Sequence, residues 1–234
     1  MLKYILFDLD GTLLPMDQDV FVKDYFGRLA KKVGSLGYTV EELSGNLWKG
    51  VGAMVMNDGK ALNEEVFWQV FEKIYGKKVV EDRPVFDSFY ANEFKESAKA
   101  CGYNPKAKKC VQKVKELGYH PVLATNPIFP AVATQNRIRW AGLEPEDFEY
   151  YTTYENAHYG KPNLKYYEEV LEKIGAKAEE CLIVGNDVAE DMVAGKLGMR
   201  VFLLTDCLIN KYNEDIEQYP HGDFDELMKF IETL

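Results

Sequence analysis

An α/β architecture, with a Rossmann-like parallel sheet core and an inserted all-α cap, is what this 234-residue sequence predicts. Short apolar runs recur with no polar face: YILF (4–7), PVLAT (121–125), CLIVG (181–185) and RVFLL (200–204). Such runs mark strands covered on both sides. Helices with clear start and stop residues lie between the later runs, and strand–helix alternation of this kind builds an open parallel sheet. Residues 15–94 contain no strand signal and repeat aromatic residues at helical spacing. The expected division is therefore a core of residues 1–14 and 95–234 with a helical cap over 15–94.

The elements follow in order. Tyr4 to Phe7 is a strand that ends at Asp8. In the insertion, Phe21, Tyr25, Phe26, Leu29 and Val33 share one helical face; Val66, Phe67, Val70, Phe71 and Ile74 share a second, and Phe86, Phe89, Tyr90 and Phe94 a third. Asn104 and Pro105 open the next helix as cap and first residue, Ala107, Val111 and Val114 face inward, and Gly118 stops it. Asn163 caps another, with Tyr167, Val170, Leu171 and Ile174 inward and Gly175 at its end. A helix from about Val188 to Leu197 is closed by Gly198, and one from about Asp223 to Leu234 ends the sequence.

A formal net charge of −10 with no offsetting basic run argues against nucleic acid or an anionic membrane as partner. The Lys-rich piece KAKKC (106–110) fits a solvated helix face. Cys101, Cys110, Cys181 and Cys207 show no metal or redox spacing, so reduced thiols in a cytoplasmic protein are expected. Neither a signal-peptide pattern nor a membrane-length apolar run is present.

Polar residues fall at successive strand ends: Asp8 and Asp10, then Thr125 and Asn126, then Lys161 in GKPN, then Asn186, Asp187 and Asp191. Ligands of open α/β sheets bind at that carboxyl edge, and the helical insertion begins there. A hydroxyl, an ammonium and several carboxylates around one point suit attack on a phosphate monoester. A phosphate dianion repels a carboxylate nucleophile, so positive charge must bring them together. A divalent cation among the carboxylates does so, and all-oxygen ligands favour Mg²⁺. Asp8, Asp10, Asn186, Asp187 and Asp191 are the candidate metal positions, while Gly11, Thr12 and Asn126 are candidates for contact with the phosphate. Backbone N–H groups near Gly11 are natural donors to it. A carboxylate nucleophile divides a hard hydrolysis into two easier steps, and a second carboxylate handles the protons.

DLDGTLL, ATN, GKPN and VGNDVAED, in this order, resemble the four motifs of the haloacid dehalogenase-like superfamily of phosphohydrolases. The resemblance implies Asp8 as nucleophile and Asp10 as general acid and base. It implies Thr125 and Lys161 as holders of the phosphoryl group and of the Asp8 charge, and the last motif as source of magnesium ligands. The implied substrate is a small phosphorylated metabolite. Phosphomutase or 2-haloacid dehalogenase activity and a non-catalytic, ligand-binding descendant are the alternatives. Dehalogenation needs neither magnesium nor an acid at Asp10. Two departures stand out: Asn186 replaces the usual aspartate after the glycine, and Asn163-Leu164-Lys165 replaces an acidic residue and a second proline.

The remaining candidates are weaker. GVGAMV (50–55) reads as a cap turn, Trp48, Trp68 and Trp140 as core, and His120, His158 and His221 as scattered. Lys49 and Lys60 flank a Gly-containing cap segment that could face the site.

Overall fold

A computed structural model describes all residues, 1–234. Its sheet has five parallel strands in the order β2-β1-β3-β4-β5. They are β1 (Tyr4–Phe7), β2 (His120–Leu123), β3 (Cys181–Gly185), β4 (Arg200–Leu204) and β5 (His221–Gly222). The first strand to be made lies inside the sheet, so its carboxyl end opens between two neighbours.

Both faces are covered, as the unbroken apolar runs require. Ile5, Phe7, Leu182, Val184, Phe202 and Leu204 point to one side, against α5 (Pro105–Glu116) and α8 (Phe224–Glu232). Leu6, Val122 and Ile183 point to the other, against Tyr166, Tyr167 and Val170 of α7 (Leu164–Ile174). The expected caps hold. Asn104 accepts from Lys106 N and Asn163 from Lys165 N, while Gly175 is left-handed at φ 65°. Asp223 caps α8 by accepting from Asp225 N and Glu226 N.

Four helices precede α5: α1 (Gln18–Val33), α2 (Val40–Val55), α3 (Asn63–Tyr75) and α4 (Lys77–Ala91). Their aromatic side chains make a second core, in which Phe21, Tyr25, Phe71, Phe86, Phe89 and Phe94 are buried. Burying each such ring contributes roughly 1.5–3 kcal/mol. Phe94 sits in short 3₁₀ turns (Glu93–Ala100) packed on α1. The chain therefore crosses back to the sheet layer at Cys101–Gly102, where Gly102 N donates to Pro15 O at 2.7 Å. That crossing is later than the expected border at 94/95.

Other expectations change. GVGAMV is no turn but the last part of α2, and its Gly50 is there for packing: a Cβ would come within 2.6 Å of the Phe67 ring. The helix expected over 188–197 is a polar turn followed by 3₁₀ turns over Met192–Leu197, because Asp187 caps the backbone of Ala189 and Glu190. Helix α6 (Ala131–Trp140) was not expected, since its buried Thr134, Asn136 and Arg137 break the apolar stripe. The four cysteines are free thiols, and no helix is long and apolar enough to cross a membrane.

Candidate active site

The register of the sheet assembles the site. Phe7 is level with Leu123 on one side and Val184 on the other. Asp8 N donates to Val184 O at 2.9 Å, and Ala124 N donates to Phe7 O at 2.7 Å. One residue beyond Phe7 and two beyond Leu123 and Val184, the chain brings Asp8, Thr125 and Asn186 to one edge.

Lys161 enters from the loop before α7. Its Nζ donates to Asp8 Oδ1 at 2.8 Å and to Asp191 Oδ1 at 2.6 Å, and the residue is 1% exposed. Asp191 faces inward because its Oδ2 accepts from Asp187 N at 3.0 Å. Asn126 ties the remaining pieces together: its Oδ1 accepts from Lys161 N and its Nδ2 donates to Glu190 Oε2. The Thr125 carbonyl accepts from Thr152 Oγ1 and Tyr166 OH, which fixes the backbone and leaves the threonine side chain to the cavity above.

Thr12 is buried behind Asp8 instead of lining that cavity. Its hydroxyl lies 3.3 Å from Asp8 Oδ2 and 3.0 Å from Asn186 Oδ1, so it is committed to the protein. The backbone donors expected at Gly11 are committed as well: Gly11 N donates to Leu14 O and Thr12 N to Leu9 O. Gly11 itself is dictated by its surroundings. It has φ 84°, and a Cβ would lie 2.3 Å from Asn186 Nδ2.

Asp10 points to a residue that sequence reading missed. Its Oδ2 pairs with Arg137 Nη1 from α6, while its Oδ1 is buried with no partner. Arg137 is fully buried, donates to Thr134 Oγ1 at 3.2 Å and stacks 4.2 Å above the Phe129 ring. In the string TQNRIRW nothing distinguishes Arg137 from the exposed Arg139. Glu190 is the second missed residue, and it lines the cavity beside Asp187.

Carboxylates outnumber cations here, and burial raises the pKa values of Asp8, Asp10, Asp187 and Glu190. Burial pushes Asp8 up to about 7, opposed by the Lys161 charge and reinforced by Asp191. Glu190 rises to about 8, again chiefly through burial. Asp10 and Asp187 are raised by burial too, with Arg137 pulling Asp10 back down. Burial disfavours the Lys161 charge, but Asp191 and Asp8 outweigh it and hold the ammonium well above its usual range.

The five expected metal positions do not converge as one ligand set, and no three His, Cys, Asp or Glu side chains form a metal cluster. Cations and backbone already occupy most of them: Lys161 takes Asp191, Arg137 takes Asp10, and Asp187 Oδ1 accepts from Ala189 N and Glu190 N. What is left is narrower. Asp8 Oδ2 and Asn186 Oδ1 share a single Thr12 hydroxyl proton, so one of the two oxygens always lacks a donor. Asn186 Nδ2 donates to Cys207 O at 2.7 Å, which turns the amide oxygen towards Asp8. A carboxylate and an amide oxygen facing each other are hard donors that fit Mg²⁺.

Lys49 and Lys60 are not part of the site. Lys49 Nζ donates to Asn46 Oδ1, Lys60 Nζ pairs with Asp58, and neither lines the cavity. Trp48 is not core, being 53% exposed at the cavity, and Trp68 also lines it. Trp68 and Trp140 both pack against the aromatic core as expected.

A buried carboxylate pair backed by an ammonium thus stands at the carboxyl edge of a parallel sheet. Residues 2–198 match the family model for haloacid dehalogenase-like hydrolases, and the chain belongs to that family. Among curated proteins it is 27% identical over 208 residues to a phosphoglycolate phosphatase of Vibrio parahaemolyticus, covering 87% of this chain and 84% of that one. It is 25% identical to a glyceraldehyde 3-phosphate phosphatase of Methanocaldococcus jannaschii, covering 100% of this chain and 99% of the other. Its fold is similar to the crystal structure of a HAD phosphatase from Thermococcus onnurineus, with TM-score 0.62, 18% identity and 98% of each chain covered.

Two outcomes follow from the charges. Between an unfolded value near 3.8 and a folded value of about 7, the folded chain keeps a proton on Asp8 that the unfolded chain has lost. The Asp8 contribution to stability in chelator should therefore be complete below about pH 4 and be lost as pH rises to about 7, by on the order of a few kcal/mol. Melting curves should show that fall, and Asp8→Asn should make it shallower. Removing Arg137 leaves Asp10 buried without its counter-charge. Urea unfolding of Arg137→Met should show a loss of about 3–5 kcal/mol, part of which returns when Asp10→Asn is added.

Proposed function

We propose that the chain is a magnesium-dependent phosphoric monoester hydrolase acting on a small phosphorylated metabolite through an aspartyl-phosphate. The observation that carries the reading is the setting of the two aspartates. Asp8 is held at the cavity floor by Lys161, and Asp10 is held by Arg137 through one oxygen while the other has no partner. The phosphatase names of the curated relatives support it. The division into a catalytic core and a helical cap belongs to the same proposal.

In this reading an Asp8 oxygen attacks phosphorus and the ester oxygen leaves. Asp10, kept protonated more readily by its burial, gives its proton to that oxygen. The alcohol departs and water takes its place. Asp10 then accepts a proton from the water as it attacks the acyl phosphate, which releases phosphate and restores the Asp8 carboxylate and the Asp10 acid. Thr125 offers a hydroxyl to the phosphoryl group, and Lys161 stabilises the Asp8 charge before attack. Asn126 acts by positioning Lys161 and Glu190. Thr12 and Gly11 act from behind Asp8, holding Asn186 and the turn in place. Mg²⁺, held by Asp8 and Asn186, would supply the positive charge that lets a dianion approach a carboxylate.

Asp8→Asn should abolish turnover of a generic phosphate ester with the fold retained. Brief exposure of the wild-type chain to a labelled substrate in magnesium should place phosphate on Asp8; label on a serine or histidine overturns the mechanism. Asp10→Asn should slow turnover by roughly 10²–10⁴, with the larger loss on alkyl esters, which need a proton most. Rates on aryl and alkyl phosphates compare the two, and equal losses would remove Asp10 as the acid.

A further inference from the structure

The cavity above Asp8 has a volume of about 330 Å³, and its two ends differ in chemistry. The sheet end carries five carboxylates: Asp8, Asp10, Asp187, Glu190 and Asp191. The helical end is formed by Phe26 of α1, Trp48, Val51 and Val55 of α2, and Phe67 and Trp68 of α3. No lysine, arginine or histidine contributes to the wall. Each cation nearby is engaged elsewhere. Lys161 and Arg137 are buried against Asp8, Asp191 and Asp10, while Arg83 pairs with Glu64 on the Trp68 ring.

We propose that this cavity selects phosphate monoesters of neutral, predominantly apolar alcohols with a body about as large as an aromatic ring. The proposal rests on the phosphatase reading and adds the class of alcohol. Two physical arguments lead to it. A second anionic group on the substrate, such as a carboxylate, would be buried among apolar rings and acidic side chains with no counter-charge, which is strongly unfavourable. A sugar-like chain of hydroxyls would likewise lose its water against Phe26, Val51, Val55 and Phe67, which offer no polar partner, while the Tyr25 and Tyr90 hydroxyls at the wall are hydrogen-bonded to each other. An apolar body gains from the same wall.

Trp48 is the second argument. It stands 53% exposed at the cavity, with its ring 5.7 Å from that of Phe26. An indole of this size left open beside a phosphoryl site is a surface for the flat or branched body of a substrate, since aromatic faces gain from stacking beyond the area they bury. The volume is at the lower end for small-molecule sites, which limits the alcohol to one ring or a comparable alkyl chain.

The full chain in magnesium is assayed for kcat/KM on ethyl, butyl, hexyl and 2-phenylethyl phosphates, whose leaving alcohols differ little in acidity, and on phosphoglycolate and glyceraldehyde 3-phosphate. The expected result is a rise of about fourfold per methylene along the alkyl series, hence at least roughly a hundredfold from ethyl to hexyl. 2-Phenylethyl phosphate should exceed both polar phosphates by at least roughly tenfold. Trp48→Ala, at an exposed position that does not hold the fold, should reduce the 2-phenylethyl to ethyl ratio by roughly tenfold. Phe67→Leu should reduce it in the same direction. A flat alkyl series, or phosphoglycolate or glyceraldehyde 3-phosphate as the fastest substrate, overturns the apolar assignment and leaves the phosphatase reading standing. Failure to hydrolyse any ester, a generic aryl phosphate included, overturns the phosphatase reading and this inference with it.

Discussion

Lys161 Nζ lies between Asp8 Oδ1 and Asp191 Oδ1, and the rest of the site is arranged around that contact. Two carboxylates brought together away from water repel by several kcal/mol at an effective dielectric of about 20. One ammonium between them reverses the sign but leaves a net negative charge. The residue of that imbalance is visible in Asp8, whose carboxyl burial still lifts to about 7. Four separate chain segments serve the contact. β1 ends at Asp8, β2 leads to Asn126, the loop before α7 brings Lys161, and the turn after β3 folds Asp191 inward through its own bond to Asp187 N. The parallel sheet is what lets segments so distant in sequence meet, because every strand end opens on the same edge.

The strands and the capped helices were legible because their signals are local. An apolar run such as CLIVG has no solvent face to give, and Asn163 or Asp223 caps its helix through its own side chain. The helix α6 was not legible, for a reason tied to function: Arg137 is buried in it to hold Asp10, and a charged residue on the inner face erases the apolar period. The turn after β3 escaped for a similar reason, since acidic residues that cap backbone and face a site read as the start of a helix. The site's members could be named from strand ends, but their division of labour could not. Whether Thr12 faces the cavity or the back of Asp8 is decided by side-chain direction in three dimensions, which spacing does not encode. The same holds for Lys49 and Lys60, whose ammonium groups go to Asn46 and Asp58 and do not line the cavity.

The helical layer and the catalytic edge are joined through α6. Phe129, just before that helix, lies in the aromatic core of the insertion, 5.5 Å from the Tyr25 ring and 6.1 Å from the Phe94 ring. The Arg137 guanidinium rests on the Phe129 ring and holds Asp10. The group that handles protons in the proposed reaction is thus set by a cation whose own position depends on how the insertion packs. Interiors are dense and their rings interlock, so a shift of α1 against the sheet layer reaches Asp10 through Phe129 and Arg137.

Asn186 shows why a change of charge at this edge is also a change of hydrogen bonding. Its amide is used at both ends: Nδ2 donates to Cys207 O, and Oδ1 faces Thr12 and, beyond it, Asp8. An aspartate in the same orientation would set a carboxylate oxygen against the Cys207 carbonyl at the 2.7 Å now spanned by a hydrogen bond. It would also add a further negative charge beside an Asp8 that is already hard to ionise. The asparagine removes both costs in the metal-free state while keeping a neutral oxygen directed at the site. The loop carrying Cys207 is held by the same chain segment, because Ile209 N donates to Asn186 O at 2.9 Å. The amide therefore fixes the strand end, the loop over it and the oxygen offered to a cation in one side chain, and the departure from the usual aspartate follows from that geometry.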